Sequence, residues 1–503
     1  MEMNNRTTSF LLVALFVMST MTALMTLTPT AAASNETTSG VITGTEIWQG
    51  GHTLTGDVEI APGAKLIIQP GTTVTFQNGT YLDVKGNLCA GDTTCGASGM
   101  GSNASRIKFQ WATPANQSAT GRCYKMINPS SGQPLWNPDP SCFEGVLVRD
   151  TIDIAQTKIN HLTIENAYGM PRYVSDLGEV RWASFILDGA SPTVTEINFN
   201  NINTSSVLVL DLAAPTFNGG TFQVGVEAAI EALAGNAVQT YGAGSPSGPV
   251  RFMSPVFTGT QNGCTSQDNG RHVLWAQKSF TNIDHGVVAS SDYGYRYTDS
   301  AGVVNANTIQ SDCTGIDING RRTVINNDYD LTVSNNTITT GDNSPVTIYN
   351  GALALVEGNV MSGAAEGSGI QVVCCSSSVI KTEARITNNV IGPITGYNGI
   401  WGVGTFDIEV DNNTFQEINR EPFIIGEYHY QDSGWSVSAP SVARATINDN
   451  IINNVSGTCE SETAWDESFP CPVFHVFRAS ATIQRNVVSN VAGDAIRAQG
   501  ELL

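Results

Sequence analysis

One short pattern, apolar-x-x-Asn-x-apolar, limits the fold of this chain more than any other feature. It reads VNANTI at Val304, VSNNTI at Val333, VEGNVM at Val356, ITNNVI at Ile386, VDNNTF at Val410, INDNII at Ile447 and IQRNVV at Ile483. The anchoring residues are Asn307, Asn336, Asn359, Asn389, Asn413, Asn450 and Asn486, with successive gaps of 29, 23, 30, 24, 37 and 36. A looser copy, INFNNI, starts at Ile197. A second apolar segment follows five of the anchors at an offset of 10 or 11, as from Asn336 to Val346 and from Asn389 to Ile400. The exception is Asn450 to Val473, at 23, where Cys459 and Cys471 bracket CESETAWDESFPC as a stapled external loop. The unit is thus about 23 residues plus insertions of variable length.

Repeats of this length without helical periodicity predict a β-solenoid, with three short strands and their bends per turn. Parallel crossovers are overwhelmingly right-handed, so a right-handed parallel β-helix is expected. The asparagine then acquires a reason. A sharp corner between strands needs a residue in the left-handed region, which asparagine tolerates better than other non-glycine residues. Stacked corner amides can also donate to one another along the axis as a ladder. Read instead as hairpin turns of an antiparallel sandwich, the N-N and N-G pairs have no cause to keep a fixed offset.

Charged residues are 14% of the 503, against 50 glycines, which argues for short strands and tight turns. With 24 Lys+Arg and 45 Asp+Glu the net charge is −21, the wrong sign for a nucleic-acid partner. Near the start, Arg6 precedes FLLVALFVMSTMTALMTL and the small residues Ala31, Ala32 and Ala33. That layout predicts a secretory signal peptide over 1–33, no membrane span after cleavage, and a secreted or cell-surface protein. The competing reading is an uncleaved anchor over Phe10 to Leu27, which its Ser and Thr residues weaken. Ten cysteines in an exported chain favour disulfides. Spacing suggests Cys89 with Cys95, Cys123 with Cys142, Cys264 with Cys313 and Cys459 with Cys471. Cys374 and Cys375 are left either to bridge each other or to pair elsewhere.

From Val41 the chain reads VITGTEIWQGGHTLTGDVEIAPGAKLIIQPGTTVTFQNGTYLDVKGNLCA. This resembles the opening of extracellular right-handed parallel β-helix repeat proteins of the pectate-lyase-like type. Leu54, Gly56, Val58, Ile60, Gly63, Leu66, Ile68, Pro70, Gly71, Thr72, Val74, Phe76, Leu82, Val84, Gly86 and Leu88 carry the likeness. It implies an all-β, right-handed parallel β-helix with long external insertions. Opening strands would occupy 34–110, a disulfide-closed insertion 111–143, and the repeats 144–503. The final GDAIRAQGELL reads as a repeat broken off after its second strand; further coils or an anchor beyond it are the favoured expectation, and docking of this end onto a partner is the alternative.

Such a fold hosts lyases, hydrolases, epimerases, adhesins and inert scaffolds. The expected function is a scaffold for adhesion or carbohydrate contact, non-catalytic, with a polysaccharide or cell-surface glycan as partner. The alternative is a polysaccharide lyase or glycoside hydrolase acting on an acidic polysaccharide. Lyase chemistry needs a base and a cationic group for the uronate carboxylate. The densest polar segment, Arg271 to Arg322, supplies the candidates Arg271, His272, Asp284, His285, Asp317 and Arg321. Offsets of 21 from His272 to Tyr293 and 24 from Tyr293 to Asp317 would stack these groups on adjacent coils. Carbohydrate contact falls to Trp401, Tyr428, Tyr430 and Trp435, whose rings suit sugar faces. No cofactor is evident; the acidity leaves room for calcium near Asp312, Asp317 or Asp342.

Overall fold

In the computed structural model, residues 36–91, 105–112, 144–175, 177–202, 204–225, 228–234, 249–259, 264, 272–320, 329–374, 381–426, 443–460, 468–477 and 479–499 are described. The signal-peptide expectation, the pairs involving Cys95, Cys123, Cys142 and Cys375, and nearly all of the 111–143 insertion lie outside them.

The chain winds as a parallel β-helix with three faces. Face A holds the strand before each asparagine corner, as in Ala301–Asn305, Leu331–Ser334, Leu353–Glu357, Thr382–Thr387 and Phe406–Asp411. Face B holds the strand after it, as in Thr308–Ser311, Thr337–Thr340 and Val360–Gly363. Face C closes the turn with Tyr293–Thr298, Ile316–Asn319, Val346–Tyr349, Ile370–Val373 and Ile400–Val403. Each strand pairs with its counterpart one coil away, at the usual spacing of about 4.8 Å. Two antiparallel pairs interrupt the winding. One joins Met170–Val174 to Glu179–Asp188, and the other joins Thr458–Glu460 to Ser468–Pro470 at the stapled insertion. Among the described residues there is no helix, and none long and apolar enough to cross a membrane.

The interior is built from three stacked files. Ile283, Val304, Val333, Val356, Ile386, Val410 and Ile447 line face A; Ile309, Ile338, Met361, Ile391 and Phe415 line face B; Ile316, Val346, Ile370, Ile400 and Phe423 line face C. All are essentially shut off from solvent. Burying a side chain of this size stabilises by about 1.5–3 kcal/mol, and alternation turns its neighbours outward. The opening motif obeys the same rule: Leu54, Val58, Ile60, Leu66, Ile68, Val74, Phe76, Leu82, Val84 and Leu88 are all 0% exposed. Gly86 is there for lack of room, since a Cβ would stand 2.3 Å from the Ala61 carbonyl oxygen.

The seven anchoring asparagines form one continuous ladder at the A–B corner. Nδ2 of Asn307 donates to Oδ1 of Asn336 at 2.9 Å, and the relay passes through Asn359, Asn389, Asn413 and Asn450 to Asn486. Each Oδ1 accepts a second bond from the backbone N–H of the asparagine before it. From Asn336 onward, each Nδ2 also donates to a face A carbonyl one coil back, such as Val356 O for Asn389.

One expectation is corrected here. The ladder asparagine does not take the left-handed conformation; the residue before it does. Ala306, Asn335, Gly358, Asn388, Asn412, Asp449 and Arg485 hold that place, with φ between 54° and 67°. The N-N pairs therefore combine two jobs, a strained corner and a ladder rung. The looser copy at Ile197 is out of phase. Its residues 197–200 belong to face B, and Glu196, at φ 54°, takes the corner.

Of the disulfides, Cys264–Cys313 and Cys459–Cys471 are formed as spaced, and Cys89 is bonded to a cysteine outside the described residues. Cys374 is buried at the end of its face C strand.

Candidate functional site

Face C presents an outward file in strict register: Glu231, Trp275, Arg296, Asp317, Thr347, Gln371, Trp401, Ile424, His475 and Arg497. Its middle is charged and aromatic. Arg181, on the long strand Glu179–Asp188 that the hairpin extends past the coil, lays its guanidinium over the Trp275 ring at 4.2 Å. Nε of Arg181 is 3.7 Å from Oε2 of Glu231, and Ser205 donates to Oε1 of Glu231 at 2.5 Å. One coil on from Trp275, Nε of Arg296 lies 3.6 Å from Oδ2 of Asp317. Tyr349 donates its hydroxyl to Asp317 Oδ2 at 3.0 Å. A terminal nitrogen of Arg296 approaches His272 Nε2 at 3.4 Å; since arginine only donates, that ring nitrogen accepts.

Burial dominates the protonation of this group. It raises the Asp317 carboxyl to about 6, against the opposing pull of Arg296 and the Tyr349 hydrogen bond. Burial, aided by Arg296, holds His272 down at about 3, so the ring is neutral and able to accept from arginine. Tyr349 is pushed well above the ordinary phenol by burial and by the Asp317 charge.

In the middle of this file, Arg181 Nε, Trp275 Nε1, Arg296 Nε and Asp317 Oδ1 are buried and make no hydrogen bond. Three are donors and one is an acceptor, contributed by one stacked file and the arginine lying on it. Buried polar groups are paired in nearly all folded proteins, and an orphan costs about 1–3 kcal/mol.

The structure divides the candidates read from the sequence. His272 and Asp317 stand on face C, joined through Arg296. The ring of His272 does stack in register with Tyr293, at 4.9 Å between centroids, but Asp317 aligns with Arg296 and not with Tyr293. Asp284 and His285 are a correction: they sit at the A–B corner, away from face C. There His285 Nδ1 is 3.0 Å from its neighbour's carboxylate, which also accepts from Asn305. The pair His285-Gly286 has a structural cause. His285 takes the left-handed position, φ 54°, and the N–H of Gly286 donates to Asn307 Oδ1 as the first rung of the ladder. A Cβ at Gly286 would lie 2.5 Å from that oxygen. Arg271, Arg321, Tyr428, Tyr430 and Trp435 fall outside the described residues. Trp401 is on the face C file, three coils beyond Asp317.

Sequence reasoning missed Arg181, Glu231, Trp275 and Tyr349. A signal existed for one of them: Trp275, Arg296 and Asp317 follow one another in steps of 21, close to the repeat unit of about 23. Glu231 and Arg181 lie behind insertions and a hairpin, which hide their register. No group of three acidic or histidine ligands gathers around Asp312, Asp317 or Asp342 among the described residues.

No family model matches this chain, and no curated protein matches it. Among solved structures it is similar to the A-module of the Azotobacter vinelandii mannuronan C-5 epimerase AlgE4, at 11% identity and a TM-score of 0.31, over 90% of this chain and 89% of that one. It is also similar to the periplasmic alginate epimerase AlgG, at 11% identity and 0.26, over 91% and 78%. A mannuronic-acid-specific family 6 polysaccharide lyase from human gut microbiota gives 9% and 0.24, over 86% and 83%. With TM-scores under 0.5, none of these bears on residues or activity. The parallel β-helix itself is plain from the strand pairing of this chain.

Proposed function

We propose that this protein is an extracellular β-helix that binds an acidic polysaccharide along face C, with its chain parallel to the solenoid axis. The observation that carries the reading is the run of unmet polar atoms on Arg181, Trp275, Arg296 and Asp317. In a chain of net charge −21, two arginines set beside an indole and two carboxylates suit a ligand bearing both carboxylates and hydroxyls. Trp401, on the same file, offers a further ring for a sugar face. The disulfides favour an oxidising, extracellular setting. The test is calorimetric titration with uronate oligosaccharides and with neutral ones of equal length. Saturable binding of the acidic series, abolished by Arg296→Ala, supports the reading; equal affinity for both series sinks it.

A second reading, lyase chemistry at the same place, draws on the Asp317–Tyr349 pair. Asp317, ionised above about pH 6, is a base beside the guanidinium that would neutralise a uronate carboxylate. It would take the proton next to that carboxylate as the carbon–carbon double bond forms and the glycosidic C–O bond breaks, with water protonating the leaving oxygen. Unsaturated products absorbing near 235 nm, absent with Asp317→Asn, would establish it; binding without such products leaves the scaffold.

A further inference from the structure

Away from the centre of face C, ligating atoms among the described residues gather at the base of the stapled insertion. The Cys459–Cys471 disulfide closes the antiparallel pair Thr458–Glu460 and Ser468–Pro470, with Cα atoms 5.0 Å apart and both cysteines buried. The buried Glu421 carboxylate belongs with the two sulfurs to a group whose ligand atoms all lie within 4.8 Å of one another. Two side chains hold that carboxylate in place: His475 Nδ1 at 3.2 Å from Oε1, and Asn398 Nδ2 at 3.1 Å from Oε2. His475 is 5% exposed, and its Nε2 is buried without a hydrogen-bond partner.

While the sulfurs are bonded to each other they are poor ligands. We propose that reduction of Cys459–Cys471 turns this corner into a zinc site, with two thiolates and the Glu421 carboxylate as ligands. The step balances with a dithiol as reductant: it gives two electrons, the S–S bond breaks, and the dithiol leaves as a cyclic disulfide. Zinc then replaces the two thiol protons, which pass to water. Two sulfurs and one oxygen suit zinc, which takes thiolate and carboxylate together, and not calcium, which takes oxygen alone. The fourth tetrahedral position goes to water. Asn398 and His475 are already bonded to the carboxylate, as outer partners of a metal-bound carboxylate are. In this state the insertion is held by a metal in place of a covalent staple.

Cobalt(II) reports thiolate ligation by its intense near-ultraviolet charge-transfer band. The full chain, reduced with a dithiol and freed of excess reagent, is titrated with cobalt and then with zinc as competitor. The expected result is one equivalent of cobalt with the thiolate band, displaced by one equivalent of zinc. The band disappears in the Cys459→Ser/Cys471→Ser double variant, although the other cysteines are reduced in the same sample. In Glu421→Gln, checked for unchanged folding in its oxidised form, affinity falls by at least the ~10–100-fold that losing an outer partner costs, and Glu421→Asp restores part of it. No band in the reduced protein, a band that survives in the double variant, or full affinity in Glu421→Gln each overturns the proposal.

Discussion

The A–B corner and the central stretch of face C are both rows of polar groups repeated along one axis, yet they are finished differently. At the corner, every inner ladder asparagine has its carbonyl oxygen doubly accepted and its amide doubly donated, as at Asn389 between Asn359, Asn413 and Val356. On face C, Arg181, Trp275, Arg296 and Asp317 each keep one buried atom with no partner. The first arrangement holds the coils in register. A row that leaves donors and an acceptor unmet gives up stability. The two rows differ in that the ladder amides are met within the fold, while these four atoms on face C are not.

The largest effect is expected at the corner. Asn389→Ala removes the acceptor for two donors of Asn359 and the amide that donates to the Val356 carbonyl, at a cost of about 2–4 kcal/mol. Thermal melting followed by circular dichroism should show it as a clear drop in Tm. If Asn389→Ala melts like the wild type, the ladder is ornament and the comparison collapses. Next comes Arg296→Ala, which should lower affinity for uronate oligosaccharides at least tenfold. The Tm should shift far less than at the corner, because the removed guanidinium is only partly satisfied.

A smaller effect is expected from pH. The folded-state carboxyl of Asp317, at about 6, lies above its ordinary value of 3.8, so the native state holds its proton more firmly than the unfolded chain. Its contribution to stability is therefore complete below pH 3.8 and is lost as pH rises through about 6. Asp317→Asn should flatten the stability profile across that window and should not destabilise near neutrality. Glu144 has the same sign, raised to about 7 by burial and by nearby Asp57, so the two titrations must be separated by the single variants. The smallest effect belongs to Arg485, whose two nitrogens each lie 2.7 Å from the Asp449 carboxylate at an exposed corner. Arg485→Ala should leave Tm unchanged, since exposed ion pairs contribute little; a large loss would mean that outer corner residues share the ladder's work.

The fold was legible because its signal is periodic. The anchors from Asn307 to Asn486, the alternation from Leu54 to Leu88 and the 10–11 offset to face C are local patterns with one geometric meaning. What misled was division of labour at the corner: left-handed conformation and amide stacking fall on adjacent residues, and N-N hides which is which until Ala306-Asn307 and Arg485-Asn486 are compared. The site was half legible. Trp275, Arg296 and Asp317 recur at the coil length, but Arg181 arrives by an antiparallel hairpin and Glu231 from behind an insertion. Neither carries a spacing that can be read along the chain. Asp284 and His285, candidates from the dense polar segment, lie at the A–B corner beside the start of the ladder and not on face C.

The most direct test is a crystal structure of the protein soaked with a uronate oligosaccharide. The account predicts a sugar carboxylate within hydrogen-bond reach of Arg296 Nε and Trp275 Nε1, with a hydroxyl on Asp317 Oδ1. Saccharide bound on face A, face B or the A–B corner, with those atoms still unmet, would contradict it.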